Sequence, residues 1–180
     1  LLSYKTPYNS LLIYHGLGSG KTCSSISVCE EFRLYMKQLK STKRIIIVAS
    51  PNVQENFKLQ LFDQRKLKNV DGNWNIKSCT GNTFIKEVNP MNMRGLPRSK
   101  VIKQIKRIIN NSYLFLGYGQ FGNWLRKIVS KHLRSDLKDE EKRRRGLLYI
   151  KKEFSNRMIV IDEVQNIRNT ESGADKKSVE

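Results

Sequence analysis

The chain has 180 residues, of which 38% are hydrophobic and 28% charged. That length suits one compact domain with its own core, and the clustering of the apolar residues argues against wholesale disorder. Thirty-four Lys and Arg against 16 Asp and Glu give a formal net charge of +18. Such a charge attracts polyanions, so nucleic acid or a nucleotide polyphosphate is the expected partner. The composition is also rich in lysine, asparagine and isoleucine. Part of the positive charge is therefore explained by lysines on solvent-exposed faces that need no polyanionic partner.

The apolar runs and the cysteines indicate the cellular setting. The longest uninterrupted apolar run, Ile45 to Ala49, is far shorter than the roughly 20 residues of a membrane-spanning helix. No charged and then apolar leader opens the chain, so we expect a soluble intracellular protein with no membrane partner. Cys23, Cys29 and Cys79 are too few and too widely spaced to support a zinc site or a disulfide framework. They are expected to be small buried thiols in a reducing compartment.

Short apolar runs alternate with helical stripes in the first half of the chain. A β-branched run bounded by turn residues favours a buried strand, and a spacing of three to four residues favours a helix. The elements predicted in this half are a buried strand at 11–15, a helix after Lys21-Thr22 with Ile26, Cys29, Phe32 and Leu39 on one face, a strand at 44–49, a helix around Phe57 and Leu61, and a third strand at 75–79.

The second half continues the alternation. Its predicted elements are a loop at 87–97, a helix over 98–109 with Val101, Ile102, Ile105, Ile108 and Ile109 on one stripe, a strand at 113–116, a helix from Phe121 to Leu133, a charge run at 134–145 that forms a solvated loop or a frayed helix, and a buried strand at 157–161. Strands that alternate with helices predict an α/β fold with a mostly parallel sheet flanked by helices. No internal repeat is present.

The sharpest motif is the glycine-rich run His15-Gly16-Leu17-Gly18-Ser19-Gly20-Lys21-Thr22, which follows a predicted strand and opens a predicted helix. Glycines let backbone N–H groups turn inward, and the helix N-terminus adds its positive dipole end. In a phosphate loop of this kind, Lys21 would reach the β- and γ-phosphates and the Thr22 hydroxyl would ligate Mg²⁺. The strict pattern has glycine at the position of His15, but the inner glycines are the ones that wrap the phosphates. The alternative is a chance glycine turn before a helix.

A pair of acids stands at the end of the last predicted strand. Asp162 would bind the metal, and Glu163 would polarise the attacking water. Adjacent side chains on a strand point to opposite faces, but the backbone turns at a strand end, so both acids can face one nucleotide. A strand that ends in Asp-Glu is commonplace by itself. Together with Lys21-Thr22, it predicts a site that binds and hydrolyses ATP.

Asp162-Glu163-Val164-Gln165 resembles the DExH/DExQ box of superfamily 2 helicases and translocases, whose first lobe is a RecA-like sheet. The resemblance extends to the helicase-like ATPases of large nucleocytoplasmic DNA viruses, a branch that includes the poxvirus-type early transcription factor small subunit and nucleoside triphosphatase I. It covers nearly the whole chain. The segments that carry it are Thr6-Pro7-Tyr8, residues 11–23, Cys79-Thr80-Gly81-Asn82, residues 118–123 and residues 154–168.

The resemblance implies a RecA-like P-loop NTPase domain that works as an ATP-driven motor on nucleic acid, with DNA favoured over RNA and with ATP and Mg²⁺ as cofactors. Gln165 would couple the γ-phosphate to a second lobe and complete the catalytic residues with Lys21 and Glu163. The nucleotide would contact Gly16, Leu17, Gly18, Ser19, Gly20, Lys21, Thr22 and Cys23, with Tyr8 near the adenine beside Tyr4 and Pro7. Nucleic-acid phosphates would contact Ser50, Pro51, Asn52, Gly81, Asn82, Tyr118 and Gly119. Each of these outer positions is otherwise an ordinary loop or core residue.

The chain departs from this family in ending soon after Gln165, without the second RecA lobe whose arginines the superfamily needs for hydrolysis. Residues 1–180 are therefore expected to be one RecA-like lobe of a longer protein, which binds ATP–Mg²⁺ but hydrolyses it weakly alone. Its expected partners are the second lobe, nucleic acid, and RNA polymerase or other transcription subunits. A viral protein of this kind would act in the virion or the host cytoplasm.

Two other functions share the same motifs. The first is an ATP-switched DNA-binding subunit of a transcription initiation or packaging complex, without motor activity. The second is a P-loop kinase of small metabolites, which is disfavoured because it needs neither a charge of +18 nor Gln165 after the acid pair.

Overall fold

The computed structural model of the chain describes residues 8–14, 20–131 and 139–167. A parallel sheet of three strands forms the centre of this part, with helices on both faces and an antiparallel hairpin packed into one core. None of the helices in these ranges is long and apolar enough to cross a membrane. The helices are α1 (Lys21–Gln38), α2 (Pro51–Leu61), α3 (Thr83–Val88), α4 (Arg98–Ser112), α5 (Tyr118–Lys131) and α6 (Asp139–Phe154), the strands are β1 (Ile45–Val48), β2 (Leu67–Val70), β3 (Asn73–Ile76), β4 (Tyr113–Leu116) and β5 (Ile159–Ile161), and two 3₁₀ turns lie at Gln64–Lys66 and Val164–Ile167.

The central sheet has the order β4-β1-β5, and β1 pairs in parallel with both neighbours. Val48 lies opposite Leu116 on one side and opposite Ile161 on the other. The carboxyl ends of the three strands therefore lie at one edge of the sheet. The strands predicted at 44–49, 113–116 and 157–161 are confirmed, and with them the predicted α/β fold with a parallel sheet flanked by helices.

Both faces of β1 are buried. Ile45 and Ile47 pack into a core covered by α1 to α4 and by the hairpin, whereas Ile46 and Val48 pack into a second core against α5 and α6. This division follows from the two-residue period of a strand. It also explains the uninterrupted β-branched sequence, because a parallel strand with helices on both sides has no polar face.

The strand predicted at 11–15 is wrong over the residues that the structure describes. Residues 11–14 form no ladder, and the side chains of Leu12 and Tyr14 are 78% and 90% exposed. The run is as apolar as a buried strand, but a strand exists only through hydrogen bonds to a neighbour. This segment and β5 both line a cleft.

The strand predicted at 75–79 lies instead at 73–76, where it is the second strand of an antiparallel hairpin outside the parallel sheet. Asp71 and Gly72 form the turn with φ of 51° and 83°, so both have the left-handed conformation that a two-residue hairpin turn requires. The Asp-Gly pair between two short segments that mix apolar and polar residues was the available sequence signal. The predicted loop at 87–97 is correct after Asn89, but α3 occupies its first two positions.

Helix α1 presents the predicted face to the core except at Leu39. Ile26 and Cys29 are buried as expected, and Phe32 packs against the same core, but Leu39 lies beyond the helix end and is 58% exposed. Arg33 continues the buried stripe in its place.

Arg33 is held in the core by a network of ion pairs. Its guanidinium group contacts the carboxylates of Glu30 at 2.8 Å and Glu87 at 2.9 Å. The Tyr113 hydroxyl donates to Glu30 at 2.5 Å, and burial followed by the Glu30 charge raises the pKa of that hydroxyl. The network therefore ties α1 to α3 and to β4 through buried polar groups.

Helices α5 and α6 cover the second core together. Trp124 of α5 contacts Phe154 of α6 with ring centroids 5.4 Å apart. The helix predicted from Phe121 is confirmed through Lys131, and its last two predicted residues lie outside the described ranges. The charge run is helical from Asp139 onward, where Glu141 and Arg145 form an ion pair one turn apart that supports the helix.

We predict that Arg33→Met lowers the free energy of unfolding by about 3–5 kcal/mol, because it leaves two carboxylates without a buried cation. Urea unfolding followed by circular dichroism measures the loss. Lys37→Met is the matched control, since Lys37 pairs with the same Glu87 carboxylate from an exposed position and should cost at most about 1 kcal/mol. Equal losses in the two variants would contradict the role given to burial.

Candidate active site

The candidate site lies at the edge of the sheet where β1, β4 and β5 end. The backbone N–H of Ala49 donates to the Leu116 carbonyl at 3.1 Å, and the N–H of Asp162 donates to the Val48 carbonyl at 2.9 Å. These two bonds continue the ladder one residue past the strands. The segments that follow the strands therefore leave the sheet side by side, at the edge where parallel α/β sheets bind their ligands.

Asp162 and Glu163 occupy a turn at the end of β5. Glu163 has φ of 45°, a left-handed conformation that is uncommon for any residue other than glycine. Both acids line the same cleft. The Gln165 side-chain amide donates to the Glu163 carboxylate, so two of the three predicted catalytic residues are in direct contact.

Lys21 and Thr22 begin α1 and line the same cleft. The preceding Gly20 has φ of 84°, and among the described residues no atom other than those of its chain neighbours lies within 4 Å of the point where a Cβ would stand. The chain thus enters the helix through a backbone conformation that favours glycine. The first N–H groups of a helix have no partner within it, so this end of α1 presents donors and a positive dipole end.

The cleft has a volume of about 990 Å³ and brings together predicted residues from both ends of the described chain. Tyr8, the Leu11–Tyr14 segment and β5 all line it. The predicted site residues that line it are Tyr8, Lys21, Thr22, Asp162, Glu163 and Gln165.

Lys21 and the two acids also interact electrostatically. Burial and then the Glu163 charge raise the pKa of the Asp162 carboxyl above its ordinary value, while the Lys21 ammonium acts in the opposite direction. The half-buried Asp162 and the exposed Glu163 place two negative charges side by side, and such a pair attracts a cation. Carboxylate oxygens together with the Thr22 hydroxyl are the hard donors that Mg²⁺ prefers, so the side chains present fit that ion.

Part of the predicted phosphate loop lies outside the described residues. This applies to Gly16, Leu17, Gly18 and Ser19, and also to Tyr4 and Pro7 near the predicted adenine position. Tyr8 is described and is 67% exposed at the cleft.

Two of the predicted nucleic-acid segments lie at the same sheet edge as the acids. Ser50, Pro51 and Asn52 follow β1, and Pro51 is the first residue of α2. Tyr118 and Gly119 follow β4 at the start of α5.

Tyr118 has a contact that the sequence did not indicate. Its hydroxyl donates to the backbone carbonyl of Asp162 at 2.8 Å and accepts from the Asn166 side chain at 3.4 Å. Tyr118 thus holds the turn that carries the acids.

Gly81 and Asn82 lie in the loop between β3 and α3 and do not follow a strand of the parallel sheet. Asn82 accepts a hydrogen bond from the Ile76 N–H at 2.9 Å, and Gly81 has φ of 52°. The loop lies close to the start of α1, because Cys79 is joined to Cys23 by a disulfide.

The disulfide contradicts the expectation that all three cysteines are free buried thiols. The two cysteines are 56 residues apart in sequence, and only the tertiary fold brings their Cα atoms to 5.3 Å. Spacing rules detect local cysteine motifs and miss such a pair. Cys29 is a free buried thiol as expected, and burial, with Glu30 adding to it, raises its pKa to about 12.

Two mimivirus proteins are similar to the chain in sequence. "Putative ATP-dependent RNA helicase L377" of Acanthamoeba polyphaga mimivirus is 24% identical over 191 residues, which cover 97% of this chain and 15% of that protein. "Putative ATP-dependent RNA helicase R563" of the same virus is 42% identical over 57 residues, which cover 32% of this chain and 9% of that protein. The chain thus spans less than a fifth of the length of these relatives. No protein-family model matches it, and neither does any solved structure.

We predict opposite shifts in the titration of Asp162 when its two charged neighbours are changed. Lys21→Met removes the cation and should raise the pKa of Asp162 further, whereas Glu163→Gln removes a like charge and should lower it. Carboxyl ¹³C NMR titration measures both shifts. Lys68→Met on the exposed side of β2 is the control and should change nothing; unchanged values in all three variants would contradict the shared site.

The raised pKa of Asp162 also fixes the sign of its effect on stability. The folded state binds the proton more tightly than the unfolded state, so stability falls as the pH rises from the ordinary carboxyl value through the raised one. Asp162→Asn should therefore unfold at a higher urea concentration than the parent at pH 7 and lose that advantage at acidic pH. A variant less stable than the parent at pH 7 would contradict this sign.

Proposed function

We propose that the chain is the ATP-binding lobe of a helicase-like, nucleic-acid-dependent ATPase. The observation that carries the proposal is the shared cleft, which is lined by Lys21 and Thr22 at the start of α1 and by Asp162 and Glu163 at the end of β5. The charge of Lys21 acts on the Asp162 carboxyl. The names of the two mimivirus relatives support the same class of activity.

The proposed roles follow from the chemistry of each side chain. Lys21 binds the β- and γ-phosphates, and Thr22 and Asp162 hold Mg²⁺, which supplies charge neutralisation on the phosphates when bound. Glu163 accepts a proton from the attacking water. Gln165 orients Glu163 through the hydrogen bond between their side chains.

Residues 1–180 then form a single RecA-like lobe, and a second lobe of the same protein completes the hydrolytic site. The mimivirus relatives are several times longer than this chain, which leaves room for such a lobe in proteins of this kind. The lobe alone binds ATP–Mg²⁺ and turns it over below about 1 per second, compared with about 10 per second for a typical complete enzyme.

The partner proposed for the sheet edge is nucleic acid. The segments at Ser50–Asn52 and Tyr118–Gly119 leave the sheet beside the acids, so ATP in the cleft and a phosphate backbone on these segments would lie close enough to influence each other. The net charge of +18 supports a polyanionic partner. The sequence motifs favour DNA, whereas the two mimivirus relatives are named as RNA helicases. Both nucleic acids must therefore be tested.

The setting proposed for this activity is viral transcription, in the virion or host cytoplasm, with RNA polymerase or other transcription subunits as further partners. The second candidate function is an ATP-switched DNA-binding subunit of an initiation or packaging complex. The hydrogen bond from Tyr118 to Asp162 favours keeping this candidate, because it links the nucleotide acids directly to a predicted nucleic-acid segment without requiring turnover.

The proposal is tested by ATP binding and hydrolysis with the full-length parent protein, with and without single-stranded DNA, duplex DNA and RNA. Lys21→Ala should weaken ATP–Mg²⁺ binding at least tenfold. Glu163→Gln should retain binding and lose turnover by about 100-fold or more, the usual contribution of a general base.

The matched controls are Lys68→Ala and Glu141→Gln, which change a lysine and a glutamate at exposed positions away from the cleft. Both should behave like the parent. Stimulation of turnover by one nucleic acid supports the motor, and binding without stimulated turnover supports the ATP-switched subunit. ATP binding that is unaffected by Lys21→Ala would overturn the proposed site.

A further inference from the structure

The Cys23–Cys79 disulfide joins the candidate nucleotide site to the loop between β3 and α3. Cys23 is the third residue of α1 and follows Lys21 and Thr22 directly. Cys79 follows β3 in the loop that ends at Asn82. Their Cα atoms lie 5.3 Å apart, within the range that disulfides adopt.

The three cysteines differ sharply in their surroundings. Cys23 is exposed and lies at the positive end of a helix dipole, which stabilises a thiolate, and Cys79 is half-buried. Cys29 is fully buried in the core, where burial raises its pKa to about 12. Because the thiolate is the reactive form, the Cys23–Cys79 pair can exchange electrons with solutes through the exposed Cys23, while Cys29 stays inert.

The loop that holds Cys79 is firmly anchored. Asn82 accepts from the backbone N–H of Ile76, and the Thr80 hydroxyl donates to the Leu61 carbonyl at 3.1 Å. The disulfide therefore connects the first turn of α1 to a loop that is itself bonded to β3 and α2. In this linked state Lys21 and Thr22 line the cleft.

We propose that Cys23 and Cys79 are a thiol–disulfide redox pair whose oxidation increases the affinity of the adjoining cleft for nucleotide. The proposal rests on the proposed function of that cleft. The disulfide restricts the first turn of α1 in the conformation in which it lines the cleft, so less conformational entropy remains to be lost on binding. By linkage, bound nucleotide favours the disulfide by the same factor.

The oxidation is a two-electron step. The two thiols give up two protons and two electrons as the sulfur–sulfur bond forms, and a peroxide accepts them: hydrogen peroxide is reduced to two molecules of water. A dithiol reductant reverses the step, returning both protons and both electrons to the cysteines and becoming a disulfide itself.

The test uses the full chain, oxidised with hydrogen peroxide or reduced with dithiothreitol. Peptide mapping by mass spectrometry reads the Cys23–Cys79 link without any nucleotide, and thermal unfolding reads its constraint. We expect the cross-linked peptide in the oxidised sample only, and we expect no alkylation of Cys29 in either folded sample. The melting temperature should be roughly 10 °C higher after oxidation, because the disulfide closes a long loop. Absence of the link after oxidation of the folded chain would overturn the redox pair.

The dissociation constant of ATP–Mg²⁺ is then measured in both states. We expect it to be about fivefold lower for the oxidised chain, a typical coupling between two sites. Cys79→Ser should abolish the difference and match the reduced parent, whereas Cys29→Ala should preserve it. Equal constants in the two states overturn the redox inference alone. Absence of ATP binding in both states overturns the proposed function, and the affinity difference with it, while the peptide map still decides whether the pair exists.

Discussion

The pairing of β1 with both β4 and β5 in one parallel register is the constraint on which the candidate site depends. Because Val48 lies opposite the last residues of both neighbours, the three strands end together. The segments after them, which carry Ser50, Tyr118 and Asp162, must then share one edge. A shift of β5 by one residue would turn Asp162 to the other face of the sheet and remove it from the cleft.

The apolar residues of β1 make this register hard to change. The backbone strain of the candidate site lies in the turn that follows β5. Four consecutive buried residues hold β1 between two cores. Immediately past the sheet, Glu163 adopts a left-handed conformation and Asp162 is desolvated beside a like charge. The left-handed backbone of Glu163 and the desolvation of Asp162 both oppose folding, and both suit a pair of carboxylates that binds a cation. Features that cost stability in this way are typical of functional sites. The Tyr118 hydroxyl holds this turn in place.

The sequence predicted the sheet and the site edge well because both depend on strong local patterns. An uninterrupted β-branched run such as Ile45–Val48 has few alternatives to a buried parallel strand, and the carboxyl ends of parallel strands meet by geometry. The segment Leu11–Tyr14 has an equally apolar pattern, yet it forms no ladder, because pairing depends on a neighbouring edge that a local pattern does not describe. The Cys23–Cys79 disulfide and the ion pair of the buried Arg33 with Glu87 were missed for a related reason, since each joins residues more than 50 positions apart.

The most direct test of the account is a double-mutant cycle on ATP–Mg²⁺ binding with Lys21→Met, Asp162→Asn and the double variant. If the two ends of the chain build one nucleotide site, the two losses should be coupled by about 1 kcal/mol or more, which is roughly a fivefold departure from additivity in the dissociation constant. If the losses of binding free energy in the two single variants add to that of the double variant within about 0.3 kcal/mol, the two residues act independently, which would contradict the shared site.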